Sequence, residues 1–411
     1  MADGPGVARA STVALVTHPS APTAGPSDVI DVLTALVAID SVNSDLVPEA
    51  SGETAIVDWC AAWLTQRGFE VTRLEGRTGH PSIIAIARGS GGGPALLLNA
   101  HLDTVGVESY EGDPFSASIE GDRLYGRGAF DTKSGVAAAM VAAARAQAEL
   151  SLRGDIVLAL VADEEFGSTG TVETLAHLAA TGVMPTAGLV IEPSALELTV
   201  AHRGFAWFEV VFSGLAAHGS MPEQGVDALV AASSFVHSLG EVRARLLNDA
   251  PHPLLGHGTV RVSTINGGTD AATVADRCVI TVERRTLPND DLDDVERELH
   301  ELVEHAAGAV PGALGALRRL VARAAFEAQP KSAIVELVAQ QVETVLATPA
   351  RRRGEPFWTD ARLVHEAGIP CLVIGADGGG AHADVEWASI RSVRELEAVL
   401  LGVIEAHVGR G

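Results

Sequence analysis

The segment 155–162, DIVLALVA, is apolar at every position after the first. A strand with one face in water would alternate, so this one must be buried on both faces. A sheet with helices packed on either side provides that environment. Shorter runs at 70–74, 82–88, 95–100, 188–191 and 370–374 have the same strand character. Helical periodicity over 28–39, 53–67, 134–150, 171–180, 332–346 and 393–407 separates them, and the stretch 134–150 is rich in Ala, the best helix former. Strands alternating with helices predict an α/β layer fold with a mixed sheet.

The order changes after Gly204. Strands are expected at 205–212, 258–265, 277–287 and 316–325, with helices at 226–247 and 292–307. That is a β-α-β-β-α-β unit, a self-contained, ferredoxin-like pair of layers. The economical reading is an α/β domain over 1–203 and 328–411 with a second domain, 204–327, inserted into it. Residues 1–27 read as a disordered leader, because the apolar patch 12–16 is too short for a secretory signal.

Composition excludes several function classes. The 411 residues carry a net charge of -24, and only Lys133 and Lys331 are lysines. No basic stripe is present to neutralise phosphates, so a nucleic-acid partner is not expected. No apolar run approaches the ~18 residues of a membrane span. Cys60, Cys278 and Cys371 are widely spaced and odd in number, which fits reduced thiols in the cytoplasm rather than a disulfide framework.

Chemistry-bearing residues gather at one kind of place. Run 95–100 is followed by His101 and Asp103, and run 155–162 by Asp163, Glu164 and Glu165. Glu192 follows 188–191, His382 lies beyond 370–374, and Asp131 precedes the Ala-rich helix. Ligands of open α/β sheets bind at the carboxyl ends of strands, so these groups can converge on one edge. Alone, each has an ordinary explanation: Asp131 as a helix N-cap, 163–165 as a solvated helix start. The two His-x-acid pairs mean little in a chain with 14 His and 53 Asp+Glu. Together, two histidines and several carboxylates suit divalent metals, zinc first, at a hydrolytic site. Acids crowded at one edge repel one another without cations among them. One acid must stay unligated to take a proton from water, and the neighbours Glu164 and Glu165 offer both roles. Lys133 reads as a structural partner near Asp131; Trp358 and Thr359, just before Asp360, read either as pocket lining or as core.

In order along the chain, NAHLDTV, GRGAFDTKSG, DEEFGSTGT, VIEPS, AAHGSMPEQGVDA, ERRTLP, FWTDA and GAHADVEW resemble the dinuclear-zinc amidohydrolases and exopeptidases. That family includes aminoacylases, acetylornithine deacetylase, succinyl-diaminopimelate desuccinylase and glutamate carboxypeptidase. The resemblance runs from about residue 28 to the C-terminus. It implies two divalent ions per chain, zinc first, with Co2+ or Mn2+ as substitutes. Asp131 would bridge them, His101 and Glu192 would complete one site, and Glu165 and His382 the other. Glu164 matches the general base, and Asp103 the acid that holds the second nitrogen of His101. His218 matches a histidine that a partner subunit delivers to the substrate carbonyl, which makes 204–327 a lid and dimerisation domain and the chain a homodimer. Arg285 sits where the family meets a substrate carboxylate.

The implied substrate is an N-acyl amino acid or short peptide, cleaved at its amide. A carboxypeptidase or dipeptidase using the same site is the alternative, and a non-catalytic metal- or ligand-binding protein is another of a different class. This chain departs from many relatives at Ala272, where they carry an Asn that helps hold substrate. VIEPS also lacks the His-Ile-Glu-Gln of the carbamoyl-amino-acid branch.

Overall fold

The structure, a computed structural model, describes residues 27–409 and the backbone of the strand Ala14–Leu15. The leader expected over 1–27 lies almost wholly outside the described residues. The chain divides into two compact units. One runs through Val200 and includes Ala328–Arg352 and the chain from Thr359 onward; the other is Ala201–Glu327 with Arg353–Trp358.

The first unit is built on a mixed sheet. Its central strands, in spatial order, are Ile156–Val161, Leu96–His101, Ala187–Val190 and Cys371–Val373, and all four run parallel. Every residue in them is buried, as the unbroken apolar run demanded. Antiparallel strands flank them: Ser82–Ala87 and Glu70–Leu74 on one side, Leu198–His202 on the other. Helices Ser134–Glu149 and Thr169–Thr181 both pack on Ile156–Val161. The first helix sits very close at its start, since a Cβ on Gly135 would lie 2.2 Å from Ile191 Cγ2. Because the four central strands are parallel, the segments that leave them all emerge at one edge of the sheet.

A small antiparallel sheet was not expected. It joins Ser118–Glu120, Arg123–Tyr125, Trp387–Ser389 and Gly378–Gly379. Strands of two or three residues carry no readable periodicity. Here they tie the loop after the last central strand to the segment before Asp131.

The second unit has the expected ferredoxin-like order. Its strands lie as Thr259–Gly267, Arg277–Thr286, Gly204–Ser213, Leu314–Arg323, all antiparallel to their neighbours. Gly204–Ser213 alternates cleanly: Ala206, Phe208, Val210 and Phe212 are buried against helices Ala228–Asn248 and Leu292–Gly308. Arg353–Trp358 belongs here because Trp358 donates its indole N–H to Ala324 O (3.1 Å) and meets the His202 ring edge-on. The chain enters this unit along Leu198–His202 and leaves it along Phe326–Glu327, which pair antiparallel with His202 opposite Phe326. Val200 and Ala328, which bracket the insertion, are joined by a 2.8 Å backbone hydrogen bond. No helix among the described residues is long and apolar enough to cross a membrane.

Candidate metal centre

The parallel edge brings the strand-end residues together. His101 closes the strand Leu96–His101; Glu164 and Glu165 follow Ile156–Val161, and Glu192 follows Ala187–Val190. Asp131 lies in the turn Ala129–Lys133 that leads into helix Ser134–Glu149. That helix has no side-chain cap, so the carboxylate of Asp131 is not serving as one. His382 sits in the loop between Gly378–Gly379 and Trp387–Ser389 with a left-handed φ of 61°.

Two ligand groups form, and they share one residue. His101, Asp131 and Glu192 make the first, and Asp131, Glu165 and His382 the second. His101 Nε2 lies 3.1 Å from Asp131 Oδ1 and 3.7 Å from Glu192 Oε2. His382 Nε2 lies 3.5 Å from Asp131 Oδ2 and 3.1 Å from Glu165 Oε2. The two oxygens of Asp131 therefore face two different histidines. Glu164 belongs to neither group.

Asp103 organises this edge through more contacts than its pairing with His101. His101 Nδ1 donates to the Asp103 carbonyl (3.0 Å) and lies 3.5 Å from its Oδ1. A nitrogen facing a carbonyl carries the proton, which leaves Nε2 as the atom turned to a metal. The Asp103 carboxylate also accepts the backbone N–H of Glu164 and of Glu165, both at 3.1 Å, and the amide of Asn43 at 2.8 Å. One buried carboxylate thus fixes the His101 ring and the main chain of both glutamates.

The charges lack compensation in a way that calls for cations. Burial, then repulsion from Glu192, pushes Glu164 well above the carboxylate range. Burial raises Glu192 to about 8, with Asp131 adding to it. Glu165 is raised by burial and by Asp131. Burial opposes ionisation of Asp131, but hydrogen bonds from His101 and His382 hold it below its ordinary value. Those contacts with Asp131 and Glu165 raise His382 to about 10. His101 is raised well above its ordinary value despite its burial, by Glu192, Asp103 and Asp131.

A third group with ligand spacing, Asp45, His80 and Asp163, lies beside this edge. Its cation is already present: Arg77 pairs with both Asp45 and Asp163. His80 Nδ1 pairs with Glu53 at 3.1 Å. A metal there would have to displace the guanidinium that already pairs with both acids.

The remaining expected residues lie in the second unit. His218 is exposed on a two-stranded ribbon, Ala217–His218 with Thr273–Val274. Its Nδ1 is taken by Ser220 Oγ at 2.7 Å, so Nε2 is the nitrogen it offers outward. Ala272 closes the turn just before Thr273–Val274, its N–H held by Asp270. Arg285 is paired with Glu283 at 2.9 Å and lies over the Phe205 ring. Lys133 donates to Ile39 O rather than to Asp131.

Residues 97–406 match the sequence pattern described as peptidase family M20/M25/M40. The chain belongs to that family. Among curated relatives, it is 25% identical over 396 residues to N-formyl-4-amino-5-aminomethyl-2-methylpyrimidine deformylase of Bacillus subtilis, covering 88% of this chain and 91% of that one. It is 27% identical over 383 residues to acetylornithine deacetylase of Proteus mirabilis, covering 90% and 95%. The aminopeptidase PepT of Bacillus cereus shares the fold, with a TM-score of 0.75 at 19% identity over 92% of this chain and 97% of that one. Peptidase family M20/M25/M40 enzymes are metal-dependent, and this chain is an amidohydrolase of that kind. Its two ligand groups fit two divalent ions by donor type, by the shared carboxylate and by their uncompensated charge.

Asn43 carried no signal in the sequence, and the contacts of Asp360 and Glu386, which lie within FWTDA and GAHADVEW, were not anticipated. Asn43 bridges Asp103 and Asp163 from a segment 60 and 120 residues away. Asp360, raised to about 6 by burial, accepts from Thr171 Oγ1 at 2.5 Å, and Thr171 accepts from Asn99 beside the central strand. Glu386 accepts from the backbone around Asp131.

Metal uptake should release protons. In the metal-free protein His382 stays protonated up to about 10 and Glu192 up to about 8, so metal competes with protons below those values. Affinity should climb as pH rises from 6.5 to 8.5, by about tenfold per pH unit for each proton displaced. Calorimetric titration in two buffers of different ionisation enthalpy measures both quantities. A flat affinity with no proton release would remove His382 and Glu192 from the ligand set.

Proposed function

We propose that this enzyme hydrolyses the amide of an N-acyl amino acid with two divalent ions, zinc first, and with Glu164 as proton carrier. The observation that carries the reading is Asp131, whose two oxygens face His101 and His382 while Glu164 stays out of both ligand groups. The names of the two curated relatives, a deformylase and a deacetylase, describe removal of an acyl group from nitrogen. When bound, the ions would polarise the substrate carbonyl and lower the pKa of water from ~15.7 towards ~7.

The chain's own groups do the rest. Glu164, its amide anchored on Asp103, takes the proton from the attacking water and passes it to the leaving nitrogen. His218 Nε2 donates to the oxygen that gains charge. Arg285 leaves Glu283 to pair with the free carboxylate of the amino acid. In this reading the first unit is catalytic and the second is lid and dimerisation domain. The free, buried thiols of Cys60, Cys278 and Cys371 support a cytoplasmic home.

An activity screen of zinc-loaded protein tests the substrate class. N-formyl, N-acetyl, N-succinyl and long N-acyl amino acids are compared with dipeptides. The expected result is the highest kcat/KM on an N-acyl amino acid, with its amide derivative much poorer. Turnover of dipeptides with every N-acyl amino acid untouched would replace the reading with a dipeptidase or carboxypeptidase.

All metal ligands belong to one unit and His218 to the other. We assign His218 to the partner's site across an isologous homodimer. Mixing Glu164→Ala with His218→Ala under subunit exchange should restore activity. Half of randomly exchanged dimers are mixed and each revives one site, so up to about a quarter of wild-type activity returns. No recovery despite demonstrated exchange would assign His218 to its own chain's site.

A further inference from the structure

We propose that Glu386 is a positioning residue that holds the two metal-ligand loops in register, an inference that rests on the two-metal reading above. Glu386 follows His382 by four residues in the same loop, and its carboxylate is 1% exposed. Its carboxylate accepts hydrogen bonds from the segment that presents Asp131. Oε1 accepts from the N–H of Phe130 (2.9 Å) and of Asp131 itself (3.0 Å). Oε2 accepts from Gly128 N (3.0 Å) and from Arg127 Nη1 (2.7 Å).

These contacts close a ring through the site. From Asp131 the path runs through its own amide to Glu386, back along the loop to His382, and across 3.5 Å to Asp131 Oδ2. The loop is pinned further: Arg127 Nη2 donates to Ala383 O, Glu111 N to Asp384 O, and Gly126 N to Glu386 O. The turn passes close to its neighbours and needs a glycine: Gly128 has a φ of 78°, and a Cβ there would lie 2.6 Å from Thr104 Cγ2. Asp131 must aim two oxygens at two histidines, so a small rotation of its backbone misplaces both. Among the described residues, the carboxylate that fixes that backbone is Glu386, supplied by the His382 loop. The competing explanation is that Glu386 merely neutralises Arg127, which is equally buried.

The test is Glu386→Gln in the full chain, read by Co2+ titration of metal-free protein. Visible absorption follows ligand geometry, calorimetry follows affinity, and thermal melts are taken with and without Co2+. Gln keeps the volume but turns an NH2 group against two N–H donors. Both binding steps are expected to weaken by about ten- to a hundredfold, with an altered cobalt spectrum, because Asp131 serves both ions. Wild-type affinity and spectrum at either step, with only a lower metal-free melting temperature, would overturn the inference and leave Glu386 as the charge partner of Arg127. If Glu386→Gln does not fold, Arg127→Met with Glu386→Gln removes the buried charge and its partner together, and the same two outcomes apply. Failure of the two-metal reading is separately visible as a wild type that takes one Co2+. The inference is then decided on that single step: weakened in the variant, it stands; unchanged, it falls.

Discussion

Glu164→Gln should lower kcat by at least ~10²–10⁴-fold while two metals stay bound, the range typical for losing a general base. The proposed mechanism gives the two glutamates after strand Ile156–Val161 separate duties. Glu165 lies 3.1 Å from His382 within a ligand group, and Glu164 lies in neither group. The amide of each is fixed by Asp103, so substitution at one leaves the main chain of the other in place. Burial and Glu192 raise Glu164 well above the carboxylate range in metal-free protein, which favours a group that can hold a proton between two transfers. Gln keeps the shape and hydrogen-bonding reach but not the basicity. Elemental analysis after dialysis gives the metal count, and steady-state kinetics gives kcat. Loss of a metal from Glu164→Gln, with full retention in Glu165→Gln, would exchange the two roles.

Asp131→Ala should empty both metal positions. Its Oδ1 faces His101 and its Oδ2 faces His382, so one substitution removes a direct ligand from each group. The affinity lost at each should exceed the ~10–100-fold that follows loss of an outer hydrogen-bonding partner. His101→Ala, by contrast, should deplete mainly one. The metal-free variant offers a second readout. His382 is held at about 10 first by its hydrogen bond to Asp131, so its titration should move down towards the ordinary histidine value. Retention of two metals per chain in dialysed Asp131→Ala would end the shared-carboxylate arrangement.

What the sequence disclosed and what it withheld have a common physical basis. His101, Glu164, Glu165 and Glu192 were legible because each follows an apolar run, and parallel strands send their ends to one edge. The core strand Ile156–Val161 was legible because burial on both faces suppresses alternation. The strand Gly204–Ser213 was legible as a strand, but its one covered face was not, because Phe205, Trp207 and Val211 on the more open face are apolar too. Asp131 and His382 end no strand and were marked only by position, one ahead of the Ala-rich helix and the other in the loop beyond 370–374; their pairing roles came from resemblance to a family. Glu386 and Asn43 act through hydrogen bonds to residues remote in sequence, and no local pattern encodes such a partner. The ribbon that carries His218 and the small sheet around Gly378–Gly379 use strands too short to show a period. Nothing in its own stretch of sequence marks Arg77, which pairs with two acids of a group that otherwise has the spacing of a metal site.

The hydrogen bond between Val200 and Ala328 has a kinetic meaning. A long insertion normally delays its host, because the host must close a large loop before its own strands can pair. Here the insertion's ends, Ala201 and Glu327, are opposite one another in an antiparallel pair. Once the ferredoxin-like layers have formed, their termini stand a strand's width apart, and the intervening chain acts on the host as a tight hairpin would. The host then gathers 187–200 and 328–373 at little entropic expense.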